Sequence, residues 1–221
     1  RTSILYDLSE DTSIQLAGDY EDRSESPGYS IGVSKYAYST DPYNSKAAND
    51  VYDREENRDM YGVSLQGDHS FNEEMSLFGI VSYRDWETWN KQDEDGTEDP
   101  TRYLDTNNIE KSNIWYSEVR FHFVNDRFDA IAGGNYSVED VYQRTDIGLL
   151  ADSYMQFVSL NLFPELGLTP DPDVSAWDIF PDLPEQDWLD FSSLAGGAVL
   201  PPSFAGQYFT ETMDNNGDFT N

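Results

Sequence analysis

The chain has 221 residues, with 43 Asp and Glu against 13 Lys and Arg, a formal net charge of -30 and no cysteine. That balance excludes a nucleic-acid partner, because phosphate affinity needs basic patches, and the missing cysteines exclude disulfide frameworks and thiolate metal sites. An aromatic content of 14% excludes a disordered acidic chain, which would lack so many rings.

No apolar run approaches the roughly 20 residues of a spanning helix. The opening "RTSILYDLSE" holds no signal-peptide core. Two classes remain: a mature secreted or periplasmic piece, and a membrane protein that spans with strands, to which hydropathy is nearly blind.

In chain order, "RTSILYD", "LSED" and "TSIQLAGDYEDR" predict a first hairpin, with Ile14, Leu16 and Tyr20 opposite Gln15, Asp19 and Glu21. A long polar connection follows over 24–57. The second hairpin, within "YGVSLQGDHSFNEEMSLFGIVSYRDWETW", puts Tyr61, Val63 and Leu65 on one face and Ser64, Gln66 and Asp68 on the other. Its turn falls at Asn72, Glu73 and Glu74, after which Met75, Leu77, Gly79, Val81 and Tyr83 repeat the apolar face, although Phe78 and Ile80 blur the pattern. A second connection covers 90–112. The third hairpin, "NIWYSEVRFHF", "VNDR" and "FDAIAGGNYSVED", places Trp115, Val119, Phe121 and Phe123 opposite Tyr116, Glu118, Arg120 and His122.

The connection over 145–207 is long enough to expect function or partial folding. "DIGLLADSYMQFVSLNLFPELG" predicts an amphipathic helix ending before Pro164, and residues 208–221 begin a further strand. Short turns at one end and long loops at the other are the asymmetry of outer-membrane barrels. Predicted strands of eleven residues or so also suit a tilted membrane crossing better than a soluble sheet. Tyr20, Tyr83, Trp86, Trp89, Trp115, Tyr136 and Tyr142 fall near the long-loop ends, where an interfacial girdle would sit. The expected fold is all-β: an antiparallel transmembrane β-barrel segment with three hairpins in 1–144, short periplasmic turns and long extracellular loops. The competing expectation is a soluble β-sandwich or solenoid.

"YGVSLQGDHSFNEEMSLFGIVSYRDWET", "YSEVRFHFVNDRFDAIAGGNYSVED" and "FTETMDNNGDF", with the first hairpin, resemble successive barrel segments of TonB-dependent outer-membrane receptors. The resemblance covers most of 1–144 and the last dozen or so residues, and leaves the long loops unmatched. It implies a barrel of about 22 strands filled by a plug. It further implies residence in the outer membrane of a Gram-negative bacterium, energy from a TonB protein through the plug region, and uptake of a nutrient such as a siderophore-iron complex, a corrinoid or an oligosaccharide. Neither plug nor energy-coupling segment is visible, and about six or seven strands can be counted, so the chain is expected to be an excerpt of a longer receptor.

Candidate chemistry is sparse. His69 and His122 are the only histidines, and with no cysteine they complete no zinc set. In "KQDEDGTEDP", setting Gly96 at the sixth place of an EF-hand loop puts Lys91 first and Arg102 twelfth, so that match fails. A looser calcium site through Asp93, Asp95 and Asp99 remains open beside a plain solvated loop. "DNNGD", Asp214 to Asp218, is expected to be a turn. No nucleophile motif, phosphate loop or dinucleotide fingerprint occurs, so neither enzymatic activity nor a cofactor is expected. Gln66, Asp68, Glu118 and Arg120 are expected to face the lumen, since charges alternating with apolar residues are tolerated only where they meet water or each other. Trp86, Trp89, Tyr103, Trp177 and Trp188 are the ligand-contact candidates, because rings in loops stack on sugars or planar chelates. The alternative function is a secreted acidic β-rich protein, carbohydrate-binding with calcium support or built for surface assembly and adhesion.

Overall fold

The computed structural model describes residues 1–43, 46–185, 187–188 and 199–220. Seven strands run in chain order: β1 (Thr2–Ser9), β2 (Thr12–Glu25), β3 (Glu55–Asn72), β4 (Met75–Asp93), β5 (Leu104–Val124), β6 (Asp129–Leu150) and β7 (Tyr208–Thr220). They form one open antiparallel sheet whose spatial order follows the sequence. Hairpins explain that order, because a strand reversed by a tight turn pairs with its predecessor. At the β5–β6 turn, the Asn125 side chain accepts hydrogen bonds from the amides of Arg127 and Phe128, both at 2.9 Å.

Strand extent departs from expectation at the loop end. The connection expected over 90–112 shrinks to 94–103, that over 24–57 to 26–54, and β6 continues past 144 to Leu150. Apolar alternation stops in these stretches, but ladder pairing continues through polar partners. Lys111 meets Glu87 at 2.7 Å, and the Thr145 hydroxyl donates to Asn108 at 2.9 Å. Periodicity reads the apolar belt and is silent on strands lined by polar pairs. For the same reason "DNNGD" is no turn: Asp214 to Asp218 pair with Asp140 to Arg144 inside β7.

The insertion between β6 and β7 carries α1 (Ala151–Glu165), α2 (Ala176–Ile179) and a short 3-10 turn at Pro202–Phe204. Asp146 to Leu150, expected to be helical, belong to β6 because they pair with Tyr208 to Thr212. Pro164 lies inside the helix rather than beyond it. Nor is α1 simply amphipathic, since Ser153, Gln156 and Ser159 are buried beside Met155, Leu162 and Phe163. Each buried polar group is satisfied. The Ser153 hydroxyl donates to the Tyr103 carbonyl at 2.8 Å, Gln156 to the Pro172 carbonyl at 2.8 Å and Ser159 to the Met155 carbonyl at 2.6 Å.

The main buried hydrophobic cluster among the described residues belongs to this insertion, with Ala48 and Val51 of the first loop buried besides. Met155, Val158, Leu162, Phe163, Ala176, Trp188 and Val199 form a buried cluster to which, among the described residues, no strand contributes. The sheet therefore holds together by ladder hydrogen bonds and cross-strand pairs, while many of its large apolar residues remain exposed and the others are half-buried.

Candidate functional site

Cross-strand partners share a face of the sheet, so the pairing register sorts every strand residue. Ile4, Leu16, Leu65 and Val81 are successive partners, continued by Ser117 and Tyr136. One row nearer the loops lie Gly18, Val63, Tyr83, Trp115 and Val138, and one row nearer the turns Ile14, Gly67, Gly79, Val119 and Gly134. These rows make a continuous apolar belt, and Leu65 and Val81 at its middle are 48% and 47% exposed. At its loop side the Tyr61 and Tyr83 rings lie 6.0 Å apart and those of Tyr83 and Trp115 4.7 Å apart. Two girdle expectations need correction. Trp86 pairs with Met60 and Ser112, on the polar face, and Tyr136 sits at mid-belt opposite Ser117.

The opposite face gathers Gln66, Asp68, Glu118 and Arg120, the four residues expected to face a lumen. Gln66 donates to Asp68 at 3.1 Å, and Arg120 Nε meets Glu118 at 2.9 Å while lying 4.3 Å above the Phe78 ring. Tyr116 donates its hydroxyl to the second Glu118 oxygen at 2.7 Å. The histidines stay near the short turns: His69 Nδ1 bonds the Thr12 hydroxyl at 2.8 Å and His122 Nε2 meets Asp129 at 2.7 Å.

At the loop end the three long connections converge into a cap. The 26–54 loop reaches the β4–β5 turn through Ser30, which donates to the Asp93 carbonyl at 2.6 Å, and through an antiparallel bridge from Ala37 to Thr97. Gly96 holds φ 66°, and a Cβ there would lie 2.4 Å from the Gly32 nitrogen, so only glycine permits this approach. The insertion joins at Asp173, bonded by Lys35 and Tyr36, and at the Pro172 carbonyl, which accepts from Arg102. The Arg102 guanidinium also stacks 4.0 Å over the Tyr36 ring.

The five candidate contact rings do not form one site. Trp188 is fully buried in the cap core, and Trp177 packs against that core with Nε1 donating to the Leu200 carbonyl at 2.7 Å. The Trp188 ring is closed off from solvent, whereas Trp177 is half-buried. Tyr103 donates to Asp105 at 2.6 Å beside Tyr208, and burial together with the Asp105 charge pushes its hydroxyl pKa up. Trp89, 39% exposed, donates Nε1 to Asn107 and lies on the face opposite Trp86.

The calcium candidates divide similarly. Asp99 spends one carboxylate oxygen on the Thr101 amide and hydroxyl, at 3.0 and 2.8 Å. Asp95 likewise accepts the Thr97 amide and hydroxyl at 2.8 and 2.6 Å and the Leu104 amide at 2.9 Å, but it and Asp93 meet Asp50 from the first loop, with one oxygen of each within 4.8 Å of the others. Among the described residues, these three carboxylates lie close enough together to hold a metal. Spacing offered no route to Asp50, whose position depends on the turn in which the Val51 amide bonds the Asn49 side chain at 3.1 Å.

Desolvation, then the charges of Asp95, Asp93 and Glu98, push the Asp50 pKa up to about 6 from an ordinary 3.8. Folding thus favours the protonated carboxyl. Its contribution to the closed cap is complete below 3.8 and is lost as pH rises through about 6. In chelator-treated protein, exchange protection factors over 46–54 are expected to fall between these pH values, whereas Asp50→Asn shows no such step. Equal profiles would mean that another group titrates.

No protein-family profile, curated protein or solved structure matches the chain.

Proposed function

We propose that this chain is a section of an outer-membrane β-barrel of the TonB-dependent receptor kind, which takes up a scarce nutrient. The carrying observation is the apolar belt, exposed on one face of an open sheet whose hydrophobic cluster lies elsewhere. A soluble sandwich would cover such a face with a second sheet. From Met75 to Tyr83 the belt follows β4 for roughly 27 Å at about 3.4 Å per residue. At a tilt of about 40° this spans roughly 21 Å, close to the apolar band of about 25 Å on membrane barrels.

The outer edges of β1 and β7 lack strand partners among the described residues. In lipid every backbone group needs a partner, so the reading requires further strands to close the barrel. The belt then meets lipid, the face with Glu118 and Arg120 lines the lumen, and the cap faces outward to the nutrient, whether siderophore-iron, corrinoid or oligosaccharide. Transport follows from loop closure and plug rearrangement driven by TonB, with no covalent bond made or broken.

The test is the intact mass of the native polypeptide, tied to this sequence by peptide fingerprinting of an isolated outer-membrane fraction. The expected product requires detergent and weighs several times 25.2 kDa. A polypeptide near 25.2 kDa in the soluble fraction overturns the proposal.

A further inference from the structure

We propose that Asp50, Asp93 and Asp95 bind a divalent calcium-class cation that pins the 26–54 loop to the β4–β5 turn. Asp93 is 1% exposed, and its Oδ1 accepts the Gly96 amide at 2.7 Å. Its Oδ2 is buried without a hydrogen-bond partner, as is Asp50 Oδ1. A carboxylate oxygen withdrawn from water and left unpaired is costly unless a cation meets it.

No Lys or Arg fills that role. Among the described residues, none of the three carboxylates has an ion pair, Lys91 being bound to Asp53 at 2.7 Å. Arg54, close by in sequence, stacks 4.7 Å over the Tyr29 ring; its Nε and Nη1 are also buried without a hydrogen-bond partner, and it makes no ion pair with the three carboxylates among the described residues.

Donor type and spacing select the metal. Calcium binds oxygen at about 2.3–2.6 Å, so ligands on opposite sides of one ion stand about 4.6–5.2 Å apart. Three oxygens mutually within 4.8 Å fit one shell of that size. The set has no nitrogen or sulfur, which disfavours zinc and copper. Magnesium, at about 2.0–2.1 Å, demands a tighter octahedron. Carboxylates, backbone carbonyls and water can complete the calcium shell. The ion would cancel repulsion between two segments far apart in sequence, which the EF-hand spacing test could not detect because one ligand precedes the loop.

This inference does not depend on the membrane reading, since its readout lies within the loops. The full polypeptide is stripped with chelator at pH 7.5 and titrated separately with calcium and magnesium. Binding is followed by calorimetry and hydrogen exchange over 46–54 and 94–103. Calcium is expected to bind and slow exchange in both segments, with magnesium weaker. Asp50→Asn relieves charge crowding and therefore folds, yet loses affinity about tenfold or more, since affinity follows ligand charge. Asp99→Asn leaves binding unchanged. Unaltered exchange in both segments with calcium, or equal affinity in Asp50→Asn and the parent protein, overturns the proposal.

Discussion

Leu65→Arg in the full polypeptide is expected to weaken folding into lipid vesicles by about 2–4 kcal/mol, the cost of a guanidinium at the middle of a barrel's lipid face. Leu65 stands between Leu16 and Val81 at mid-belt. Tyr61→Arg, at the loop side beside Tyr20 and Asp85, should cost only about 0–1 kcal/mol because the charge reaches the interface. Gln66→Arg reverses the direction of the side chain and should fall within about 0.5 kcal/mol, as for a wet surface position. Denaturant titration in vesicles, followed by tryptophan fluorescence, measures all three. A soluble sandwich with a buried belt would penalise both belt substitutions, whereas a solvated sheet would penalise neither. The graded order Leu65, Tyr61, Gln66 belongs to a membrane.

Trp188→Ala should unfold the cap while leaving the sheet paired. The ring is 0% exposed, touches the α1 cluster and donates Nε1 to the Leu183 carbonyl at 3.2 Å. Removing a buried indole costs about 3–5 kcal/mol, enough to exhaust the local stability of a small insertion. Exchange protection of α1 amides and protease resistance of 151–185 should collapse, with ladder amides of β3 to β5 unchanged because no described strand residue enters the cluster. Trp188→Phe retains most of the packing and loses much less. Intact α1 protection in Trp188→Ala, with weakened nutrient binding alone, would return this ring to the role of a ligand contact.

The candidate aromatics show where sequence reasoning stopped. A Trp in a proline-punctuated acidic stretch has the same letters whether exposed or buried. Trp188 is buried, and Trp177 half-buried against the same cluster, because α1 brings Met155, Leu162 and Phe163 to them. Likewise, "KQDEDGTEDP" offered Asp93, Asp95 and Asp99, and the fold groups Asp50 with the first two. Asp99 is turned into its own Asx turn, while Asp50 arrives from the preceding loop.

Alternation alone determined the hairpins, their turns and the two chemically distinct faces, because the strand period of two is a local property of the chain. Composition alone determined the acidity and the absence of thiol chemistry. The tertiary structure decided the rest. It extended the strands through polar ladders beyond the belt, set Trp86 on the polar face and Tyr136 at mid-belt, and gathered the main hydrophobic cluster of the described residues in the insertion. It also joined Asp50 to Asp93 and Asp95. Each of these depends on register or loop docking between residues distant in sequence, where the deciding energy lies in pair contacts that no single local stretch contains.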